Sequence, residues 1–403
     1  MDSDVELDGA DMRDVVVVSA MRTPIGGFLG GLKSLTAVEL AEISVKAAID
    51  KAGLSVKDIQ DVVGGVVYKS GLKGNPARQV QLNLGIPVEA SATTIDQQCA
   101  SGMRAFEIAV QQIQLGKSEI SVAFGTESMS NVPHMLLNSR NGSKLGDQKL
   151  VDGLTYDALI DAFEGYHMGV TAENLAEQYD INRDEQDMLA LLSHNRAIDA
   201  INGGSFVDEV VPVSIRTKRG EIMVSEDEHP RSDITIESLS KLRPAFKKDG
   251  TVTAGNASSI NDGAAALVLM SAERAEQMGI KPLAKVVATG SYGVEPKVMG
   301  IGPAYVIPKV LDEAGLNLND IGYFEINEAF AAQFIACNRI LKIPINKVNV
   351  KGSGISLGHP VGATGVRIIV TLLHELKNSD ERYGLASLCV GGGPAMASIF
   401  ERV

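Results

Sequence analysis

The chain has no tryptophan and only 10 Phe and 8 Tyr among 403 residues, against 41 glycines. Its interior must therefore be built from small and aliphatic side chains, the composition of a Gly- and Ala-rich α/β enzyme. Cysteine is almost as scarce. Cys99, Cys337 and Cys389 lie far apart in sequence and form neither a disulfide framework nor a metal-ligand cluster, so reduced thiols and no metal are expected. No apolar run approaches the roughly 20 residues of a membrane-spanning helix. There is no basic tract, and the formal net charge is −13, which argues against nucleic-acid or anionic-membrane partners. The opening Met1-Asp2-Ser3-Asp4-Val5-Glu6 is acidic where a targeting segment is basic, and the closing Phe400-Glu401-Arg402-Val403 matches no peroxisomal address; a cytoplasmic protein is expected. The length exceeds what one core usually serves, so two or three packed units are expected.

Asp14-Val15-Val16-Val17-Val18-Ser19-Ala20 is a β-branched run suited to a strand covered on both faces. Met21 to Gly27 reads as a loop. Apolar residues at helical spacing then run from Thr36 to Ala52, stopped by Gly53, and a second apolar run spans Val62 to Val67. Strand, helix and strand in this order make a layered α/β unit. Residues 50–59, Asp-Lys-Ala-Gly-Leu-Ser-Val-Lys-Asp-Ile, return as residues 312–321, Asp-Glu-Ala-Gly-Leu-Asn-Leu-Asn-Asp-Ile, with six of ten positions identical at an offset of 262. This points to an internal duplication.

The offset relates two loops. Thr94-Ile95-Asp96-Gln97-Gln98-Cys99-Ala100-Ser101-Gly102 leads from a β-prone run into a helical pattern, placing Cys99 at a helix N-terminus. Unsatisfied N–H groups and the helix dipole there favour thiolate over thiol. Cys99 is then either a packed core thiol, the commoner role, or a nucleophile in need of a base. At the corresponding place in the second copy stands Gly358-His359-Pro360-Val361-Gly362-Ala363-Thr364-Gly365, also followed by a helical pattern. Packed as pseudo-symmetric halves, the two helix starts would meet, which makes His359 a candidate base.

Residues 126–247 break the α/β rhythm and read as an inserted, mostly helical and loop domain. Within it, Ile215 to Lys248 carries eight Lys or Arg against six Asp or Glu, which is either a solvated face or a docking surface for an anionic ligand. Further on, Asn327 ends a strand-like run and could hold a water, a substrate oxygen or a helix cap. Cys389 ends another apolar run before Gly391, Gly392 and Gly393, where side-chain-free backbone N–H groups can approach a reacting oxygen.

Taken together, Asp-Gln-Gln-Cys99-Ala-Ser-Gly, Asn327-Glu-Ala-Phe, Gly-His359-Pro-Val-Gly-Ala-Thr-Gly and Cys389-Val-Gly-Gly-Gly resemble the four motifs of the thiolase family, in the family's order and over essentially the whole chain from Val15. The resemblance implies a duplicated α/β/α/β/α layered fold. Its halves are expected at 1–125 (with sheet completed at 248–275) and 276–403, around a coenzyme A-binding insertion at 126–247. It implies that Cys99 is acylated by a thioester while His359 takes its proton, and that Cys389 deprotonates a second acetyl-CoA. A water on Asn327, with His359, would stabilise the enolate, and the N–H groups of Cys99 and Gly391 the tetrahedral intermediate. It assigns Leu159, His167, Met168, Arg231, Ser238, Phe246, Ala254, Ser258, Ala329 and Phe330 to coenzyme A or the acyl pocket. No cofactor is implied, since acetyl-CoA, acetoacetyl-CoA and CoA are substrates and products; a homodimer or homotetramer is. Tyr166-His167-Met168-Gly169 resembles the short-chain, acetoacetyl-CoA-forming branch. A degradative 3-ketoacyl-CoA thiolase and a non-catalytic acyl-CoA binder are the alternatives. The chain departs from the family pattern at Ser353, where a Gly is usual, and at Pro394-Ala395, where a further Gly is common.

Overall fold

The computed structural model describes residues 12–142 and 144–403; the acidic opening expected to lack a targeting signal lies outside them. The first half runs β1 (Val15–Arg22), β2 (Gly26–Gly27), α1 (Ala37–Lys51), β3 (Asp61–Gly65), α2 (Pro76–Asn83), β4 (Ser91–Ile95), α3 (Ser101–Gln114) and β5 (Ile120–Ser128). After it come β6 (His134–Leu136), β7 (Leu150–Asp152), α4 (Met168–Gln178), α5 (Arg183–Asn202), β8 (Val213–Thr217), β9 (Gly220–Val224) and α6 (Ile236–Ser240). β10 (Asn261–Ser271) and α7 (Ala272–Met278) lead to the second half: β11 (Ala284–Gly293), α8 (Pro303–Glu313), β12 (Ile321–Ile326), α9 (Ala331–Leu341), α10 (Gly354–Leu357), α11 (Val361–Lys377), β13 (Tyr383–Cys389) and β14 (Pro394–Arg402).

Every residue of β1 is buried. Val15, Val17 and Ala20 belong to a central apolar cluster, whereas Val16, Val18 and Met21 belong to an outer one. That alternation is the two-residue period of a strand covered on both faces, and a register shift between Val17 and Ser19 accounts for its change of parity. Thr36 caps α1 reciprocally with Glu39 (Thr36 N–H to Glu39 Oε2, 2.8 Å; Glu39 N–H to Thr36 Oγ1, 3.3 Å). Gly53 follows the C-terminus at φ +70°, a left-handed position that suits glycine.

Strand order shows the duplication directly. The hydrogen-bonded path β12-β13-β14-β11-β1-β10-β5-β3-β4 contains β3-β5-β10-β1 and its counterpart β12-β13-β14-β11. The first pair of each set is parallel and the rest antiparallel. The halves join edge to edge, with Val16 opposite Lys285 and Val17 opposite Ala284. β10, which lies beyond the insertion in sequence, pairs with both β5 and β1. Helices α3 and α11 fill the middle layer, clustered with inward residues of both halves of the sheet. α1 and α2 cover one outside face and α8 and α9 the other. Phe106 of α3 meets Phe400 of β14 at 5.5 Å between ring centroids, an aromatic contact worth about 0.5–1.5 kcal/mol beyond its buried area. Among the described residues, no helix is long and apolar enough to cross a membrane.

The segment expected to be helix and loop also holds two hairpins, β6–β7 and β8–β9. Residues Val213 and Ile215 of β8 pack with Leu32 and Leu40, a short alternation that the surrounding charge conceals. The hairpin also divides the basic stretch: Arg216, Lys218 and Arg219 sit on β8 or in the turn to β9, whereas Lys241, Arg243, Lys247 and Lys248 follow α6.

Candidate active site

Cys99 directly precedes Ala100, the N-cap of α3. The chain reaches it through a tight turn, with Ala100 N–H to Gln97 O at 3.1 Å and Ser101 N–H to Gln98 O at 2.9 Å, and Gln98 held at φ +48°. The expected thiolate preference does not hold in the free protein. Burial pushes the Cys99 thiol up to about 11, with Glu127 and Asp96 adding to the rise, and these outweigh the Gly391 and Cys99 N–H groups that act the other way.

The starts of α3 and α11 meet almost backbone to backbone. A Cβ at Gly102 would lie 2.8 Å from the Gly362 carbonyl oxygen, and one at Gly365 would lie 2.5 Å from Met103 N, so only glycine permits the approach. Val361, two residues beyond His359, packs in one apolar cluster with Cys99 and Leu159. His359 itself is fixed from both sides. Its N–H donates to Asn261 Oδ1 at 2.9 Å, and Gly358, at φ +106°, has no room for a Cβ beside the Asn261 side chain. Its Nδ1 lies 2.7 Å from Thr364 Oγ1, whose hydroxyl donates to Pro360 O at 3.0 Å. This network assigns the ring proton to Nδ1 and leaves Nε2 as the lone-pair nitrogen. Burial, with Arg367 adding, lowers the imidazole pKa to about 3, so it rests neutral.

Asn327 follows β12, its N–H bonded to Ser387 O at 3.0 Å. Its side chain is fully buried, yet neither amide atom has a partner among the described residues. Leaving such a group unpaired costs about 1–3 kcal/mol, so the amide is available to hold a water or a substrate oxygen. Cys389 ends β13 with 1% exposure. Burial pushes its thiol well above the ordinary range, and negative charge on Cys99 pushes it further. Cys337 lies on α9 with its Sγ donating to Gly300 O.

His167, Met168, Phe246, Ser258, Ala329 and Phe330 form a connected group. His167 caps α4, its Nδ1 accepting the Gly169 N–H at 3.0 Å, and its ring stacks on Phe246 at 4.5 Å. Phe246 in turn meets Phe330 edge-on at 6.0 Å. Ser258 N–H bonds to Ala329 O at 2.9 Å. Met168, Ala329 and Phe330 share an apolar cluster with Cys389, and a Cβ at Gly391 would touch the Met168 methyl. Three further expected contacts are exposed. Arg231 is exposed, its backbone N–H on His194 Nδ1 at 3.1 Å. The Ser238 hydroxyl accepts the Thr235 N–H and donates to Thr235 O. Ala254 is exposed beside Gly255.

Sequence reasoning missed Asn261, Thr364 and Glu127. Glu127 is fully buried, and its carboxylate takes the N–H groups of Val67 (3.0 Å), Tyr68 (3.1 Å) and Gly362 (2.9 Å), tying the end of β3 to the first turn of α11. Burial raises it to about 7 against those three donors. Its signal was a carboxylate inside an otherwise uncharged strand run. Ser353, the departure from the family pattern, joins a reciprocal cap with Ser356 at the start of α10.

A duplicated layered fold that brings the Cys99 loop of one half against the Cys389–Gly391 end and the α11 start of the other, with a neutral imidazole and an unpaired buried amide in the second half, fits an acyl-transfer enzyme. Residues 15–273 match the family model "Thiolase, N-terminal domain" and residues 280–402 match "Thiolase, C-terminal domain". The chain is 48% identical over 392 residues to a "Probable acetyl-CoA acyltransferase" of Staphylococcus aureus, covering 97% of this chain and all of that one. Among solved structures it resembles the acetyl-CoA acetyltransferase from Syntrophomonas wolfei (49% identity, TM-score 0.96, 98% of this chain and 100% of that chain). It also resembles human mitochondrial 3-ketoacyl-CoA thiolase (42% identity, TM-score 0.95, 97% and 99%). The chain belongs to the thiolase family and is an acyltransferase.

Proposed function

We propose that the chain condenses two acetyl-CoA to acetoacetyl-CoA and CoA, and catalyses the reverse thiolysis, by a ping-pong route. Cys99 Sγ attacks the thioester carbonyl as His359 Nε2 takes the thiol proton; the bond to the CoA sulfur breaks, Cys389 gives its thiol proton to that sulfur, and CoA leaves, with Cys389 now a thiolate and the Nε2 proton still on His359. Cys389 then removes a methyl proton from a second acetyl-CoA. The enolate carbon attacks the acetyl carbonyl on Cys99, a C–C bond forms, the Cys99 thioester bond breaks, and His359 Nε2 returns its proton to the Cys99 sulfur. A water on Asn327 faces the enolate oxygen, joined by His359 when Nε2 carries a proton, and the N–H groups of Cys99 and Gly391 face the tetrahedral oxygen. Residues 126–247 would serve as the coenzyme A-binding insertion between half-domains 1–125 and 276–403, with Arg231 meeting anionic groups of the cofactor-like substrate at the surface. Cytoplasmic location and assembly into a dimer or tetramer belong to this reading.

The observation that carries it is the fully buried Asn327 amide with no partner, in a site where both thiols are neutral at rest. The stacked His167–Phe246 pair and Met168 against Gly391 support the short-chain reading, as bulky side chains placed where the acyl group would lie. The structural likeness to human mitochondrial 3-ketoacyl-CoA thiolase favours the degradative alternative. A chain-length series of 3-ketoacyl-CoA substrates decides: kcat/KM should fall steeply beyond acetoacetyl-CoA, and efficient cleavage at six or more carbons refutes the short-chain assignment. With labelled acetyl-CoA, Cys99→Ser should give no acetyl adduct on the wild-type time scale, and Cys389→Ala should acylate without condensing. Condensation by Cys389→Ala at the wild-type rate would overturn the division of roles.

A further inference from the structure

A second cavity of about 340 Å³ opens at the seam between the halves, remote from the thiols. Its walls come from β1, the end of α1, the turn before β11, the end of α11 and β14. It lies about 20 Å along α11 from the turn that follows His359. Four cations line it, Lys51, Lys281, Lys377 and Arg402, and none has a salt-bridge partner among the described residues. In a chain of net charge −13, such a concentration of unpaired positive charge is a local anion attractor. Lys51 and Lys377 stand in the last turns of their helices, where a cation also offsets the carbonyl end of the dipole, and Arg402 donates to the carbonyls of Glu381 (3.1 Å) and Asp380 (3.4 Å); Lys281 has no such duty.

Two buried side chains in the same wall give the cavity its chemistry. Ser19 is 1% exposed and His374 4% exposed, and Ser19 Oγ and His374 Nδ1 have no hydrogen-bond partner among the described residues. His374 Nε2 lies 2.9 Å from Ala20 O. A carbonyl oxygen can only accept, so Nε2 carries the ring proton and Nδ1 of the neutral imidazole is an acceptor. An acceptor, a hydroxyl donor and several cations in one wall match a hydrogen phosphate, whose P–OH can donate to Nδ1 while its other oxygens accept. A sulfate has no proton to give.

From this cavity, its unpaired cations and the unpartnered Ser19 and His374 atoms, we infer that the protein has a second anion site, for a phosphate or a small phosphorylated molecule, separate from the acyl-transfer site. Isothermal titration of the full chain with inorganic phosphate tests it, at constant ionic strength and with CoA saturating. The expected result is saturable binding at about 1 mM or tighter, weaker binding of sulfate, and no competition by CoA. The Lys281→Glu/Lys377→Glu variant, both changes at exposed positions, should weaken phosphate by about tenfold or more. His374→Asn, which can keep a donor toward Ala20 O, should erase the preference over sulfate. AMP in a parallel titration distinguishes the source: tighter binding than phosphate identifies a nucleotide, and equal or weaker binding identifies free phosphate. The inference is overturned by phosphate binding that is not saturable, that CoA displaces, that is matched by sulfate, or that is unchanged in the double variant.

Discussion

Thr364→Val isolates the positioning of His359. The substitution preserves shape and deletes Oγ1, which lies 2.7 Å from His359 Nδ1 and 3.0 Å from Pro360 O. The Pro360 carbonyl keeps the N–H groups of Ala363 (2.9 Å) and Thr364 (3.0 Å), so the start of α11 remains capped and the loss falls on the imidazole. In the proposed acylation the ring becomes an imidazolium, and a hydrogen bond to a charged group is worth about 1.5–3 kcal/mol. Acetylation of Cys99 should therefore slow about 10–150-fold, with KM for acetyl-CoA little changed, because Thr364 is not in the group around Phe246 and Phe330. Single-turnover acetylation, quenched and read by mass spectrometry from about pH 6 to 9, measures this directly. Thr364→Ser retains the hydroxyl and should restore most of the rate. A Val variant within about twofold of wild type, or a Ser variant as slow as Val, would refute the assignment of the ring proton to Nδ1.

Alkylation of Cys99 by iodoacetamide in the free protein should rise about tenfold per pH unit between about pH 7 and 10, since only thiolate reacts and the thiol is held near pKa 11 by burial; a plateau near neutrality would reveal a preformed thiolate–imidazolium pair. The Glu127 carboxyl stays protonated in the fold up to about 7, against 4.5 unperturbed. Because the folded value is the raised one, its contribution is complete below pH about 4.5 and is lost as pH climbs to about 7, by about 3 kcal/mol. Urea unfolding at the two ends of that window should show the fall, and Glu127→Gln should flatten it. Gly102→Ala places a methyl 2.8 Å from the Gly362 carbonyl oxygen and should cost about 1–3 kcal/mol, with acetylation of Cys99 falling more than stability; a thermal melt and the acetylation assay on the same sample separate the two.

What the sequence displayed was whatever depends on local pattern. α1 and the start of β1 were legible to within a residue because a Thr36-to-Gly53 frame and a β-branched run are short-range signals, but Met21 and Arg22, which continue β1, and Gly26–Gly27, which form β2, had read as loop. The two loops that meet were legible because the duplication turned a distance in sequence into a place in space. Hidden were features set by burial. Cys99 stands where a helix start favours thiolate, but the cost of desolvation exceeds what the nearby N–H groups return. Asn261 and Thr364 hold His359 from 98 and 5 residues away, and no spacing rule picks them out. The β8–β9 hairpin was masked by charge because only Val213, Ile215 and, at its far end, Val224 pack on the core cluster.

The duplication also explains why the chemistry is unevenly shared. The offset of 262 that relates the repeated segments carries Gly65, at the end of β3, onto Asn327, just past β12, and carries Glu127, near the end of β5, onto Cys389, the end of β13. In the first half a Cβ at Gly65 would collide with the Ser101 backbone, so this position is committed to the close approach of α3 that presents Cys99. In the second half the same position carries the unpaired amide. Glu127 clamps the first turn of α11 through the Gly362 N–H, while its counterpart is a buried thiol. One half therefore supplies Cys99 and the geometry that brings the helix starts together, and the other supplies His359, the unpaired amide and the second thiol. Exchanging residues between equivalent positions would remove a structural need from one half without meeting a chemical one in the other. For that reason Glu127→Cys should lose the α11 clamp and gain no acid–base function, whereas Cys389→Glu should lose condensation and bury an unclamped carboxyl.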